Sequence, residues 1–224
     1  MKNIIILGCP RSGTSLTAKI VNVCGGYDLD NQKNSLVLRP NSKYNPDGYF
    51  ERIDLIRLND FLLFEMDMSF NFLNAPNLDF IKNYKSKNIG LLNFVNHQNS
   101  YNKWMLKDSR LAFTLNLYGF EKSEIKIIKV TRDRRQVKKS MINHYGNIFK
   151  DEKTIHGPYI IPKLNFEDYY DNINYCIDFQ SKNYENIEIN YNDILNFKNI
   201  DKIEDFINAK VDKNIIKNEY VNYH

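Results

Sequence analysis

A chain of 224 residues is long enough for one well-buried domain and short for two, so we expect a single domain over residues 1–224. The net charge of +4 suits an anionic ligand but falls short of the concentrated basic face of a nucleic-acid-binding protein, and we expect no nucleic-acid partner. The three cysteines are widely spaced, which predicts neither a disulfide framework nor a zinc site.

No apolar stretch is long enough to span a membrane, and the N-terminal apolar run of four residues is far shorter than a signal-peptide core. The four histidines show no metal-ligand spacing, so we predict no metal site. We therefore expect a soluble protein of the reducing cytoplasm.

The first predicted elements are a buried parallel strand at residues 4–7 and a helix at residues 16–23. Between them, residues 8–15 read GCPRSGTS, which has the spacing of a phosphate-binding P-loop. Backbone N–H groups at the start of the helix would form an anion hole, strengthened by the positive end of the helix dipole. Thr14 stands where an ATPase or GTPase carries its lysine, so a nearby cation must replace it, and Arg11 is the first candidate.

The remaining predicted elements alternate between short apolar strands and helices, after a loop-rich segment at residues 25–49. Strands are expected at residues 35–38, 104–106, 125–130 and 187–189. Helices are expected at residues 53–64, 78–95, 111–118, 134–144 and 166–184, with a C-terminal amphipathic helix whose apolar stripe is Ile200, Ile203, Phe206 and Ile207. This alternation predicts a three-layer α/β/α sandwich with a central parallel sheet, and a ligand at the carboxyl ends of its strands.

A second anion site is predicted where the strand at residues 125–130 ends. Arg132 follows that strand, and Ser140 lies eight residues later on the next helix. The two side chains converge if the helix runs back across the edge of the sheet, and a guanidinium with a hydroxyl suits a phosphomonoester. Most of the other cations on this helix are expected to form a solvated face.

The loop and the second site together resemble those of sulfotransferases that use 3′-phosphoadenosine 5′-phosphosulfate (PAPS) as donor. Three further stretches look like bacterial members of that family: NPDGYFE at residues 45–51, WMLKDSR at residues 104–110 and INYNDIL at residues 189–195. The resemblance implies a P-loop NTPase-like fold and adenosine 3′,5′-bisphosphate as product. It also implies that the 5′-phosphosulfate is held by Arg11, Ser12, Gly13, Thr14 and Ser15, and the 3′-phosphate by Arg132 and Ser140.

The resemblance further implies an electrostatic role for Lys107, which falls where related enzymes carry a lysine beside the scissile S–O bond. Lys107 and Arg11 would stabilise the transferred group and the leaving phosphate without a metal. The position that holds a histidine base in the cytosolic branch of the family is Ser109 here. Glu51 is therefore the first candidate for the base, and partial burial that raised its pKa would improve it. Asp47 and Asp30 remain alternatives.

Two other functions remain open at this level: an ATP-dependent small-molecule kinase on the same scaffold, and a catalytically silent nucleotide-binding module. The kinase requires a P-loop lysine that the sequence lacks. The acceptor would offer a hydroxyl or an amine, and a sugar, a lipid headgroup, a peptide and a small metabolite all remain possible. The oligomeric state and the adenine-stacking aromatic are not readable from the sequence.

Overall fold

The computed structural model describes residues 2–29, 38–39, 48–67, 70–146, 148–149, 153–156 and 159–223. Its strands are β1 (Asn3–Gly8), β2 (Met105–Lys107), β3 (Ile125–Thr131), β4 (Lys153–His156), β5 (Tyr159–Pro162) and β6 (Glu185–Asn190). Four of them form one sheet in the order β2-β1-β3-β6, and every pair in it is parallel. Strands β4 and β5 form a separate antiparallel pair.

Ten α-helices surround the strands within the described residues. They are α1 (Thr14–Val23), α2 (Ile53–Met66), α3 (Leu78–Asn83), α4 (Ile89–Asn99), α5 (Leu111–Thr114), α6 (Arg134–Tyr145), α7 (Phe166–Ser181), α8 (Tyr191–Leu195), α9 (Ile200–Ile207) and α10 (Lys213–Tyr223). Short 3₁₀ turns lie at Leu115–Leu117 and Lys122–Glu124.

The apolar run of β1 is buried on both faces of the sheet, as a central parallel strand requires. Side chains alternate along a strand, so Ile5 and Leu7 pack on one face, in a core shared with α2, α4, α5, α6 and α7. Ile4 and Ile6 pack on the other face with α1, α8, α9 and α10. Two cores on opposite faces of one parallel sheet make a three-layer α/β/α sandwich, and the predicted fold class is confirmed.

Most predicted elements are confirmed, and the differences have local causes. Residues 78–95 form two helices, α3 and α4, because Asn88 caps a new helix by accepting a hydrogen bond from Gly90 N. Residues 111–118 begin as the single α-helical turn α5 and continue as 3₁₀ helix. Of the strand expected at residues 35–38, only Leu38 is described, and it forms an isolated antiparallel bridge with Arg52.

Four elements were not predicted from the sequence: the strands β4 and β5 and the helices α8 and α10. The β4–β5 pair falls in a segment with Gly and Pro that was interpreted as a loop. The stripe of the C-terminal amphipathic helix is confirmed, since all four of its predicted apolar residues are buried in α9. No helix among the described residues is long and apolar enough to cross a membrane.

The core position of β1 can be tested with Ile5→Ala. Ile5 is fully buried between Leu106 and Ile127 of the neighbouring strands, so we expect the free energy of unfolding to fall by about 2 to 5 kcal/mol. Urea denaturation followed by circular dichroism measures this change. Ile89→Ala is the matched control, because Ile89 is 73% exposed and its truncation should cost less than about 0.5 kcal/mol. Equal losses in the two variants would contradict the fold.

Candidate active site

The predicted site residues lie where the central strands end. Strand β1 ends at Gly8, β2 ends at Lys107 and β3 ends at Thr131, and the three strands run in the same direction. The carboxyl ends of parallel strands meet at one edge of a sheet, so the segments that follow them lie together. This edge holds the residues 9–13 loop, the side chain of Lys107 and the side chain of Arg132.

The loop between β1 and α1 has the geometry of an anion-binding turn. Arg11 and Gly13 adopt positive φ angles of 69° and 98°. Gly13 is the N-cap of α1, yet no side chain caps the helix and its first turn holds no acidic residue. Ser12 is 1% exposed, and its Oγ has no hydrogen-bond partner among the described residues. The helix start therefore offers donors and a positive dipole end to an anion.

Two glycines allow the loop to sit close to its neighbours. A Cβ on Gly8 would lie 2.7 Å from Ser12 Oγ and 2.9 Å from the carbonyl oxygen of Val130. A Cβ on Gly13 would lie 2.1 Å from Cδ2 of Tyr191, which begins α8 after β6. The positive φ of Gly13 would strain any other residue there as well.

The structure brings the two predicted anion sites together. Arg11 Nε donates to Ser140 Oγ at 3.1 Å, and Arg132 donates through its NH1 group to the carbonyl oxygen of Arg11 at 3.1 Å. Arg132 also donates to Gln136 at 3.1 Å, and its guanidinium lies 4.5 Å from the centroid of the Tyr191 ring. Arg132 and Ser140 thus converge on the P-loop-like turn from β3 and α6.

The second group of site residues surrounds Lys107. Its Nζ donates to Ser15 Oγ at 3.2 Å, to the carbonyl oxygen of Tyr49 at 3.0 Å and to Glu51 Oε1 at 2.7 Å. The side chains of Lys107 and Glu51 are 4% and 5% exposed. Lys107 therefore links the first turn of α1 to the carboxylate proposed as base. It pairs with Glu51, whereas Asp108 pairs with Arg110.

Glu51 is held by cations on both carboxylate oxygens. Arg39 donates to Oε2 at 2.9 Å, opposite the Lys107 contact on Oε1. Burial raises the pKa of Glu51, but the charges of Lys107 and Arg39 outweigh burial, and the net pKa lies below its ordinary value. Glu51 is therefore ionised near neutral pH and can accept a proton. Its basicity is lower than that of a carboxylate whose pKa burial alone had raised.

A buried polar network that was not predicted supports β2 from behind. Asp108 accepts from Asn59 at 2.9 Å and from Arg110 at 2.9 Å, and Arg110 also donates to Asp60 at 2.6 Å. Burial lowers the pKa of Arg110, but the charges of Asp108 and Asp60 outweigh burial and the net pKa is raised. The guanidinium therefore stays charged. The network anchors the end of β2 to α2 and fixes the position of Lys107.

Three other residues of the site were not assigned a role from the sequence, although two of them lie in the stretches at residues 45–51 and 189–195 that resemble the family. They are Arg39, Tyr49 and Tyr191. The alternative bases Asp30 and Asp47 lie outside the described residues. Ser109 lies half-buried in the turn between β2 and α5. No group of three or more His, Cys, Asp or Glu side chains suited to a metal ion occurs within the described ranges.

A parallel sheet with a phosphate-loop turn and a convergent second cationic site defines an α/β enzyme of the P-loop-like class. The family model of the sulfotransferase domain matches residues 1–223 of the chain. The chain therefore belongs to the sulfotransferase domain family, whose members generally use PAPS as sulfuryl donor. The resemblance, the fold and the class of enzyme predicted from the sequence are thereby confirmed. No curated protein and no solved structure matches the chain.

The buried pair can be tested through the pH dependence of stability. The pKa of Glu51 is lowered in the folded protein, so its contribution is complete above its ordinary value of 4.5 and is lost as pH falls through the lower folded-state value. We expect Glu51→Gln to lower the free energy of unfolding by about 3 kcal/mol at neutral pH. Urea titrations should show that the difference in free energy of unfolding between Glu51→Gln and wild type becomes smaller as the pH falls from neutral to acidic. Glu121→Gln, which removes an exposed carboxylate, is the control, and a gap that does not change with pH would contradict the pairing.

Proposed function

We propose that this protein, as one domain over residues 1–224, transfers a sulfuryl group from PAPS to a hydroxyl or amine of its acceptor. The observation that carries the proposal is the position of Lys107, which contacts Ser15 of the donor loop at 3.2 Å and Glu51 at 2.7 Å. A cation between an anion-binding loop and a carboxylate base suits the transfer of an anionic group to a deprotonated acceptor.

The loop from Arg11 to Ser15 is proposed to hold the 5′-phosphosulfate. Three observations fit this group: the uncapped start of α1, the positive φ angles of the turn, and the buried Ser12 hydroxyl without a partner among the described residues. A buried hydroxyl that lacks a hydrogen bond is costly, and an oxygen of the donor would satisfy it. Gly13, Thr14 and Ser15 would supply backbone N–H groups, with Arg11 as the cation in place of a P-loop lysine.

Arg132 and Ser140 are proposed to hold the 3′-phosphate. Both are half-buried beside the loop, and Arg132 lies over the Tyr191 ring, which keeps its guanidinium in one orientation. Ser140 Oγ already accepts from Arg11 Nε, so its hydrogen remains a donor for a phosphate oxygen. A guanidinium and a hydroxyl from one strand–helix unit match a phosphomonoester.

The proposed reaction is a single displacement at sulfur. Glu51 takes the proton of the acceptor, the acceptor oxygen or nitrogen forms a bond to sulfur, and the bond from sulfur to the 5′-phosphate oxygen breaks. Adenosine 3′,5′-bisphosphate leaves with the electron pair of that bond. Lys107 and Arg11 stabilise the charge that develops on the transferred and leaving oxygens, and charges fixed in this way need no reorganisation during the reaction.

The acceptor and the compartment belong to the proposal as well. The family acts on small-molecule acceptors, and a sugar, a lipid headgroup or a peptide would equally present a hydroxyl or amine to Glu51. Cys9, Cys24 and Cys176 are all free thiols, which supports a reducing compartment such as the cytoplasm.

The donor site can be tested by calorimetric titration with adenosine 3′,5′-bisphosphate, with AMP as a ligand that lacks the 3′-phosphate. We expect Arg132→Ala to weaken binding of the bisphosphate by about 10- to 100-fold, the value of a hydrogen bond to a charged group. Binding of AMP should weaken by a clearly smaller factor, because Arg132 also supports the loop through the carbonyl oxygen of Arg11. Arg135→Ala is the control, since Arg135 is an exposed arginine of α6, the helix that follows Arg132. Tight binding of ATP with Mg²⁺ and indifference to the 3′-phosphate would reject the proposal in favour of a kinase.

The role of Glu51 can be tested by comparing turnover with donor binding in Glu51→Gln. Loss of a general base typically lowers the rate by about 10²- to 10⁴-fold. The described side-chain hydrogen bonds of Glu51 run to Lys107 and Arg39, which are not among the residues proposed to hold the phosphates. We therefore expect PAPS turnover to fall by that factor while adenosine 3′,5′-bisphosphate still binds, with folding checked by circular dichroism. Wild-type protein that binds the bisphosphate but never turns over PAPS would instead indicate a silent nucleotide-binding module.

A further inference from the structure

Arg39 pairs with the carboxylate oxygen of Glu51 that Lys107 does not contact. Its NH1 group donates to Glu51 Oε2 at 2.9 Å, and its backbone N donates to the carbonyl oxygen of Glu51 at 2.8 Å. The guanidinium carbon lies 3.8 Å from the centroid of the Tyr49 ring. Both backbone and side chain therefore place Arg39 beside Glu51, and the aromatic platform would hold the guanidinium there even without its ion pair.

The two cations on Glu51 differ in their access to solvent. The Lys107 side chain is 4% exposed and the Arg39 side chain is 38% exposed. A ligand that approaches from solvent can therefore reach Arg39, while Lys107 is enclosed between Ser15, Tyr49 and Glu51. The exchangeable partner of Glu51 is Arg39.

The charge balance changes when Glu51 takes a proton. In the described contacts, Glu51 is the carboxylate that pairs with Arg39. A protonated Glu51 would leave the half-buried guanidinium without its counter-charge, which opposes the proton transfer. An anionic group on the acceptor would restore that charge and favour the transfer.

We propose that Arg39 is an acceptor-binding residue that selects acceptors carrying an anionic group, such as a carboxylate, a phosphate or a sulfate, near the hydroxyl or amine to be sulfated. The anionic group takes the guanidinium from Glu51 Oε2, and the released oxygen accepts the proton of the acceptor. This inference rests on the proposed function, because it assigns the acceptor class of the same site.

Other charged or titratable groups around Glu51 do not replace Arg39 in this exchange. Lys107 approaches from β2, and Arg110 acts from behind with its charge paired to Asp108 and Asp60. From α6, Tyr145 faces the same cluster, and burial raises the pKa of its phenol to about 12, which keeps it neutral. Of the two described cations that pair with Glu51, Arg39 is thus the exposed one.

The test uses a pair of probes that differ in one charge: 4-hydroxyphenylacetate and 4-hydroxyphenylacetamide. Calorimetry on the wild-type complex with adenosine 3′,5′-bisphosphate should show the acid binding about tenfold or more tightly than the amide, the factor expected for one charge-assisted hydrogen bond. In Arg39→Ala that preference should disappear. Arg57→Ala, an exposed arginine of α2, is the matched control and should retain it. Arg39→Gln gives the same comparison with a side chain of similar size if the alanine variant does not fold.

A second measurement determines the pKa of the Glu51 carboxyl group by ¹³C NMR. The signal is assigned by its loss in Glu51→Gln. Arg39 lowers the pKa of Glu51, so the pKa should rise in Arg39→Ala without any ligand, and should rise in wild type when 4-hydroxyphenylacetate binds. This readout needs neither donor nor turnover, so its failure is distinct from failure of the proposed function. Equal or absent binding of the two probes to wild type, or a preference that survives in Arg39→Ala, would overturn the assignment.

Discussion

The common direction of β1, β2 and β3 is the constraint on which the site depends. Ile5 of β1 lies opposite Leu106 of β2 and Ile127 of β3, so all three strands end at one edge. The P-loop-like turn, Lys107 and Arg132 are far apart in sequence and meet because they follow these three ends. The apolar residues on both faces of β1 hold the strands in this register. They therefore determine where the site residues at the strand ends lie.

The ion pair between Lys107 and Glu51 is better explained by function than by stability. Removing both charges from water costs several kcal/mol per ion, and apolar residues of similar volume often replace such a pair without loss of stability. The structure offsets this cost with further hydrogen bonds, from Lys107 to Ser15 and Tyr49 and from Arg39 to Glu51. An arrangement that is costly to build and lies beside the proposed donor loop suits a group that must carry and release charge during a reaction.

The sequence predicted the parts of the molecule that depend on local pattern. The strand–loop–helix unit around Gly13 depends on a short stretch of chain, and the structure contains it. Arg132 and Ser140, eight residues apart, also converge on this loop as expected. Arg39 was not predicted, because no periodicity in the sequence indicates its pairing with Glu51, twelve residues further along the chain. The close approach of Tyr191 to Gly13 was also missed. It depends on where the sheet order places the end of β6 relative to the end of β1. Register and loop closure are tertiary properties, and a single sequence does not display them.

The two proposed phosphate sites are mechanically linked through Arg11. Its φ of 69° is unfavourable for a residue with a Cβ, by about 1 to 2 kcal/mol, and two contacts hold it in place. Arg132 donates to its carbonyl oxygen, and its own side chain donates to Ser140. The residues proposed to bind the 3′-phosphate therefore also maintain the turn proposed to bind the 5′-phosphosulfate. If the two sites bind the donor as proposed, a ligand that orders one site would stabilise the other, and by linkage the effect would be reciprocal. With the donor bound as proposed, these contacts would distinguish it from a nucleotide without a 3′-phosphate through loop geometry as well as through direct contact.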